Sequence, residues 1–267
     1  MLSVIVITKN EEGLLETCLE SVKWADEIIV ADNGSVDSTV KIAKQYTDKI
    51  FTFKGEDFAL LRNKAMEKTS GDFVLFIDAD ERVLEPLKEE IQELISKNNF
   101  SAIAISRRNI IFGKEEKYKP FWPDWVIRLF KRNDFKSWVG KIHEQPKFNG
   151  KLDYSKNSLL HLTHRDVDQV VLKSLDWSNI DAGLRLEAKH PKITSWRLLR
   201  ILISELYNQG ITRRGFFSGT IGTIDAILQT FSLIITYIRL WQLQQTQSLD
   251  KTYKEINEKL VKDNFKY

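Results

Sequence analysis

Apolar runs and amphipathic stretches alternate over the first hundred residues. Leu2 to Ile7 is an almost unbroken apolar run of strand length. From Glu12 to Val22, the residues Leu14, Leu15, Cys18, Leu19 and Val22 recur at helical spacing. The alternation then continues. Glu27 to Ala31, Lys49 to Phe53 and Asp72 to Ile77 read as strands, while Ser38 to Tyr46, Phe58 to Thr69 and Pro86 to Ser96 read as helices. Strands of buried type alternating with helices predict a parallel doubly wound sheet. Ligands of such sheets bind beyond the carboxyl ends of the strands.

The residues that follow each strand are therefore the informative ones. They are Thr8-Lys9-Asn10-Glu11, Asp32-Asn33-Gly34-Ser35, Gly55-Glu56-Asp57 and Asp78-Ala79-Asp80. Turn and cap chemistry accounts for much of this polarity, because Asn, Asp, Gly and Ser suit loops and helix starts. It does not require two aspartates around an alanine. Carboxylates two residues apart at the end of a buried strand can share a hard divalent cation, Mg²⁺ or Mn²⁺, that neutralises a diphosphate. The competing reading is an acidic cap on the next helix. Asp32 could accept hydrogen bonds from a base or ribose, or close a turn.

After Phe100 the pattern changes. Ser101 to Ser106, Trp125 to Phe130 and Lys136 to Ile142 read as strands, the last leading into His143-Glu144. Beyond Arg165 helices dominate. His161 and His164 would face one way on a helix and could ligate a metal, but no matching cysteine or third histidine stands near them in sequence, so a structural or ligand-contacting role is expected and zinc is not. Trp122, Trp125 and Trp138 could stack on sugar rings or fill the core.

Composition narrows the class. Of 267 residues, 42% are hydrophobic and 29% charged, which supports a folded core and excludes wholesale disorder. A lone cysteine, Cys18, excludes an intramolecular disulfide and a cysteine-cluster metal site. The net charge of +3 conceals segregation: residues 1–100 carry −8, residues 101–165 carry +8 and residues 166–267 carry +3. An acidic third beside a basic middle suits a site for a metal and a phosphorylated ligand, and equally suits separate solvated faces. No signal peptide is evident, so a cytoplasmic protein is expected.

Three motifs together resemble a known family. Val4-Ile5-Val6-Ile7-Thr8-Lys9-Asn10-Glu11, Ile29-Val30-Ala31-Asp32-Asn33-Gly34-Ser35-Val36-Asp37-Ser38-Thr39 and Phe76-Ile77-Asp78-Ala79-Asp80-Glu81 look like the start of a family 2 glycosyltransferase with the GT-A fold. Pro123-Asp124, Arg128-Leu129-Phe130 and Gly140-Lys141-Ile142-His143-Glu144 are similar to the lipopolysaccharide core β-glucosyltransferase subgroup. The resemblance implies an α/β, Rossmann-like GT-A domain over 1–165, with a nucleotide-binding half (1–100) and an acceptor half (101–165). Residues 166–267 would be a helical extension.

The resemblance also implies roles. Thr8, Asn10 and Glu11 would line the nucleotide pocket, and Asp32 would read the base. Arg62 could reach the base or the phosphates, and Arg128 could steady the diphosphate. Asp78 would face the ribose or the metal, and Asp80 would bind the metal, Mg²⁺ or Mn²⁺. The reaction would be an inverting transfer from a nucleoside-diphosphate sugar to a glycolipid or cell-envelope glycan. Glu144 would be the general base, with His143 orienting it or contacting metal or diphosphate. Acceptors of polyprenyl-phosphate or peptide type are the nearest alternative, and an inactive membrane adaptor is the distant one. No nucleic acid partner is expected.

The final third adds a membrane expectation. Trp196 to Tyr207 reads as an amphipathic helix, and residues 189–214 carry +5. Basic residues beside an apolar helix suit an anionic cytoplasmic leaflet. Phe216 to Ile238 is long enough to span a bilayer, but Asp225 and Gln229 lie near its middle. Interfacial placement, a buried helix and a true span are all open readings. The expectation is peripheral contact with the inner face of the cell membrane.

Overall fold

The computed structural model describes residues 1–55, 57–115, 123–142, 144–263 and 265. They form two compact units, Met1–Arg165 and Asp166–Tyr267. The first unit opens with β1 (Leu2–Thr8), α1 (Leu15–Val22), β2 (Glu27–Asp32), α2 (Thr39–Ala43), β3 (Ile50–Thr52), α3 (Phe58–Met66) and β4 (Phe73–Asp78). It continues through β5 (Glu81–Arg82), α4 (Glu85–Lys97), β6 (Ala102–Ile111), β7 (Lys114–Glu115) and β8 (Asp124–Lys131). It closes with β9 (Phe135–Val139), β10 (Gln145–Phe148) and β11 (Leu152–Thr163).

The main sheet has the order β3-β2-β1-β4-β8-β6-β11-β5, with β7 beside β6. Strands β3, β2, β1 and β4 are parallel, as their two-faced apolar runs predict. Alternate residues serve opposite sides. Val4, Val6, Leu75 and Ile77 pack with Leu15, Leu19, Leu87 and Ile91, whereas Ile5, Ile7, Val74 and Phe76 pack with Leu61, Ala65 and Phe130.

The sheet is mixed rather than wholly parallel. β8 runs antiparallel to both β4 and β6. The connection from β6 already turns back at β7, which pairs antiparallel with β6. β11 is parallel to β6 and antiparallel to β5. His161 therefore lies in a strand, paired in register with Glu81 and Asn109, and not on a helix. This architecture is the GT-A-like mixed α/β sheet.

The second unit is helical: α5 (Val167–Glu187), α6 (Ser195–Tyr207), a π-helical turn over Asn208–Thr212, a 3-10 turn over Gly215–Phe217, α7 (Gly219–Leu243) and α8 (Leu249–Lys262). Asp166, Thr194 and Ser248 cap α5, α6 and α8 by accepting from backbone N–H groups. Arg185 donates to Tyr237 Oη at 2.8 Å and lies over that ring. Gln244 accepts from Ile193 N at 2.8 Å and donates to the His190 carbonyl at 2.9 Å, tying the end of α7 to the loop before α6.

Candidate active site

Strand register gathers the expected residues at one sheet edge. Thr8 pairs with Asp32 across β1 and β2, and Ile7 pairs with Asp78 across β1 and β4. The turn after β4 is held from three sides. Ala79 N donates to the Ile7 carbonyl at 3.0 Å, and Leu162 N donates to the Asp80 carbonyl at 2.8 Å. Buried Arg82 donates to the carbonyls of Ala79 (2.8 Å), Glu81 (2.7 Å) and Leu14 (2.7 Å). Such bracing fixes where the two aspartates point.

Asp78 meets two arginines. Arg62 Nη2 donates to its Oδ1 at 2.7 Å, and Arg128 Nη2 donates to its Oδ2 at 2.5 Å. Burial alone would raise the Asp78 pKa, but the charges and hydrogen bonds of Arg128 and Arg62 outweigh it. The carboxyl is held well below the usual carboxylate range. Arg128 also bonds Glu81 Oε1 at 2.7 Å. Its burial disfavours the charge, yet Asp78 and Glu81 together push its pKa above the ordinary guanidinium value. Asp78 is thus a permanently ionised and weakly basic group.

Arg62 extends this cluster to the proposed base. Its Nε donates to Glu144 Oε1 at 3.2 Å, so one guanidinium bridges Asp78 and Glu144. The guanidinium lies 5.1 Å from the Trp138 ring centroid and 5.9 Å from that of Phe76. Asn63 pins that wall by bonding both the N–H (2.7 Å) and the carbonyl (2.9 Å) of Trp138. Trp138 is therefore a buried platform for arginine, not a sugar-stacking face. Among the described residues, Arg62 Nη1 and Arg128 Nε are buried without a hydrogen-bond partner. Both are donors suited to anionic oxygens.

Asp80 turns the other way. Its Oδ2 lies 3.4 Å from His161 Nε2. His161 Nδ1 lies 2.7 Å from Asn109 Oδ1, an acceptor, so Nδ1 carries the proton. Nε2 is the ring nitrogen that faces Asp80. An imidazole nitrogen beside a carboxylate oxygen suits a divalent cation, whereas the Asp78 carboxylate is already matched by arginines. Asp80 and His161 stand close enough to share a cation, although among the described residues no group of three His, Cys, Asp or Glu side chains gathers to hold one. Sequence reasoning missed that pairing, since no local spacing relates residue 80 to residue 161.

The loops after β1 and β2 are stitched together. Asn10, at a φ of 52°, donates its N–H to Ser35 Oγ and accepts from Val36 N, both at 2.8 Å. Glu11 N donates to Thr39 Oγ1 at 2.8 Å, and Arg165 pairs with the Glu11 carboxylate at 2.8 Å. Asp32 is buried and accepts from Gly34 N and Ser35 N at 3.1 Å. Gly34 has a φ of 78°, and a Cβ there would lie 2.9 Å from the Lys54 side chain. Thr8 Oγ1 is buried without a partner among the described residues. Glu56, Trp122 and His143 lie outside the described residues. Glu81 and Arg107 were not singled out from sequence: Arg107 pairs with Asp124 at 2.8 Å and approaches Glu81 at 3.8 Å.

Residues 3–150 match the family described as Glycosyl transferase family 2. The chain belongs to that family. This glycosyltransferase is 30% identical over 257 residues to an uncharacterized glycosyltransferase of Rickettsia typhi, covering 91% of this chain and 87% of the relative. It is 26% identical to the lipopolysaccharide core biosynthesis glycosyltransferase LpsC of Rhizobium meliloti, covering 90% of this chain and 92% of that protein. Among solved structures, TarS of S. aureus bound to UDP-GlcNAc is a remote likeness, with 15% identity and a TM-score of 0.47 over 87% of this chain and 81% of that one.

Proposed function

We propose that this glycosyltransferase is an inverting enzyme that moves a sugar from a nucleoside-diphosphate sugar to a glycolipid or cell-envelope glycan. The observation that carries the reading is the divergent engagement of Asp78 and Asp80. Asp78 is bound by Arg62 and Arg128, while Asp80 faces His161. A carboxylate that would take a metal and two arginines, each keeping one buried nitrogen without a partner among the described residues, would serve a leaving diphosphate at this strand end. Asp80 and His161 would hold Mg²⁺ or Mn²⁺, whose chemistry is to neutralise that diphosphate. Thr8, Asn10, Glu11 and Asp32 would line the nucleotide pocket.

Inversion needs a base for the acceptor hydroxyl. Asp78 is too weakly basic, because its two arginines stabilise the anion. Among the described residues Glu144 ion-pairs with Arg62 alone, at 3.2 Å, and its side chain stays 18% exposed. Glu144 takes the proton in this reading, and Arg62 sets its orientation. The acceptor class follows the name of the Rhizobium relative, and work on such an acceptor places the enzyme at the inner face of the membrane.

The test is a thermal-shift panel of nucleoside-diphosphate sugars with and without Mg²⁺ and Mn²⁺. One donor should raise the melting temperature with cation present and much less without it. Absence of any donor shift would remove the assignment. A shift indifferent to metal would remove the Asp80–His161 site alone.

A further inference from the structure

We propose that the exposed face of α6 docks on the interfacial layer of an anionic bilayer. This extends the membrane-side reading above and is independent of the roles given to Glu144 and Asp80.

Among the described residues, α6 buries none of its thirteen side chains. Its inner side is formed by Arg197, Leu198, Ile201 and Glu205, all half-buried. Leu198 packs against the small cluster of Ala182, Ile193 and Leu240. Winding the helix at 3.6 residues per turn gathers Trp196, Leu199, Leu202, Ile203, Leu206 and Tyr207 on the opposite side. All six are exposed, Trp196 at 72% and Ile203 at 59%. A surface helix in water shows the reverse, with its apolar stripe inward. In the chain just beyond, Phe216 and Phe217 are also exposed. Contiguous apolar area of this kind marks an interaction surface.

Packing within the unit points to lipid. Where α5 and α7 pack, α5 buries Val170, Ser174, Ser178 and Ala182, and α7 buries Gly222, Ala226, Thr230 and Thr236, with Leu240 the one long apolar side chain buried on α7, against Ala182. Meanwhile Ile224, Ile227, Ile238 and Trp241 of α7 stay exposed. Small side chains between helices and large apolar ones outside are the arrangement of helices that meet lipid. A core formed in water takes the large ones inside. Of the most apolar stretch of α7, 22% is buried. The outer side of α5 mixes exposed Asp168, Lys173, Asp176 and Glu187 with exposed Val167, Leu172, Ile180 and Leu186, so it carries charge throughout where the outer face of α6 does not.

Charge identifies the occupant. Residues 189–214 carry a net +5, and while Arg197 and Glu205 lie on the inner side of α6, the exposed Arg200 flanks the apolar face, with exposed Lys189, Lys192, Arg213 and Arg214 in the chain on either side of the helix. Trp196 and Tyr207 stand at its two ends, as amphipathic aromatics do at a headgroup boundary. Anionic headgroups complement such a rim. A second copy of the chain would set the same positive rim against itself.

The experiment is flotation of the full chain with phosphatidylcholine vesicles, with and without phosphatidylglycerol. Binding should appear with phosphatidylglycerol and weaken in high salt. Ile203→Glu should weaken it about tenfold or more, by removing apolar insertion. Arg200→Gln should weaken it about fivefold. Leu172→Glu, on the exposed side of α5, should bind as the parent does. Circular dichroism confirms that each variant is folded, and the donor thermal shift reads the catalytic unit separately. Three results overturn the proposal: no binding to anionic vesicles, Ile203→Glu binding like the parent, or a dimer by light scattering that Ile203→Glu splits. Resistance to extraction by alkaline carbonate would also overturn it in favour of a spanning α7.

Discussion

Glu27 begins β2 with its side chain 4% exposed. Its carboxylate accepts from Ser70 N at 2.9 Å and Ser70 Oγ at 2.7 Å, and is also bonded by Ser3 Oγ and Lys49 Nζ. Ser3 Oγ in turn accepts from Gly71 N at 2.9 Å. One carboxylate thus ties together the starts of β1 and β2 and the approaches to β3 and β4. Burial would raise its pKa, but these donors outweigh burial and hold it at about 2 against an ordinary 4.5. At about 1.4 kcal/mol per pH unit, the gap is worth about 3 kcal/mol. Lys49 is half exposed, so solvent screening trims this to about 2 kcal/mol. Because the folded pKa is the lower one, the stabilisation is complete above about pH 4.5 and fades as pH falls toward 2. Glu27→Gln should therefore lower the urea-unfolding free energy by about 2 kcal/mol at neutral pH. The difference between parent and variant should narrow by about 1 kcal/mol near pH 3. A difference that is absent at neutral pH, or the same at both pH values, refutes the reasoning.

Further outcomes concern turnover. Glu144→Gln should cut kcat by about a hundredfold or more while donor affinity, read by thermal shift, is kept; near-normal kcat removes Glu144 as the base. Arg62→Met should lower kcat about a hundredfold with a smaller change in donor KM, and Arg62→Lys should restore only part, since an ammonium cannot span both carboxylates as the guanidinium does. Full activity in Arg62→Met would end the bridging role. Asp80→Asn and His161→Ala should each raise the Mn²⁺ concentration needed for half-maximal donor shift by about tenfold or more, and an unchanged requirement sinks the cation assignment.

The parallel core was legible because β1, β2 and β4 are apolar on both faces and bounded by turn residues. The strand-end rule then singled out Thr8, Asp32, Asp78 and Asp80 before any coordinates. What stayed hidden depended on long-range pairing. β11 is only partly buried, so it gives no clean apolar run, and the spacing of His161 and His164 says nothing of the pairing with β5 that sets His161 beside Glu81. Nothing local to Arg62 says that it joins residues 78 and 144, which are distant in sequence. Likewise Glu81 follows the second aspartate as an ordinary acid might, and only the fold puts Arg128 against it. Asp32 was marked for ligand reading, yet its oxygens already serve the Gly34 and Ser35 amides. In the tail, helical periodicity found α6 but could not tell which side of it the protein covers.

The Arg62 bridge has a consequence for exchanging parts between enzymes. The residue sits on α3, in the first hundred residues, yet one of its two partners, Glu144, belongs to the later half. A chimera that grafts residues 101–165 onto another first half inherits Glu144 without its ion-pair partner, unless the recipient supplies a guanidinium at the same place on α3. Under the proposed role of Glu144, compatibility of two parents at this one side chain would then weigh on whether such a hybrid turns over.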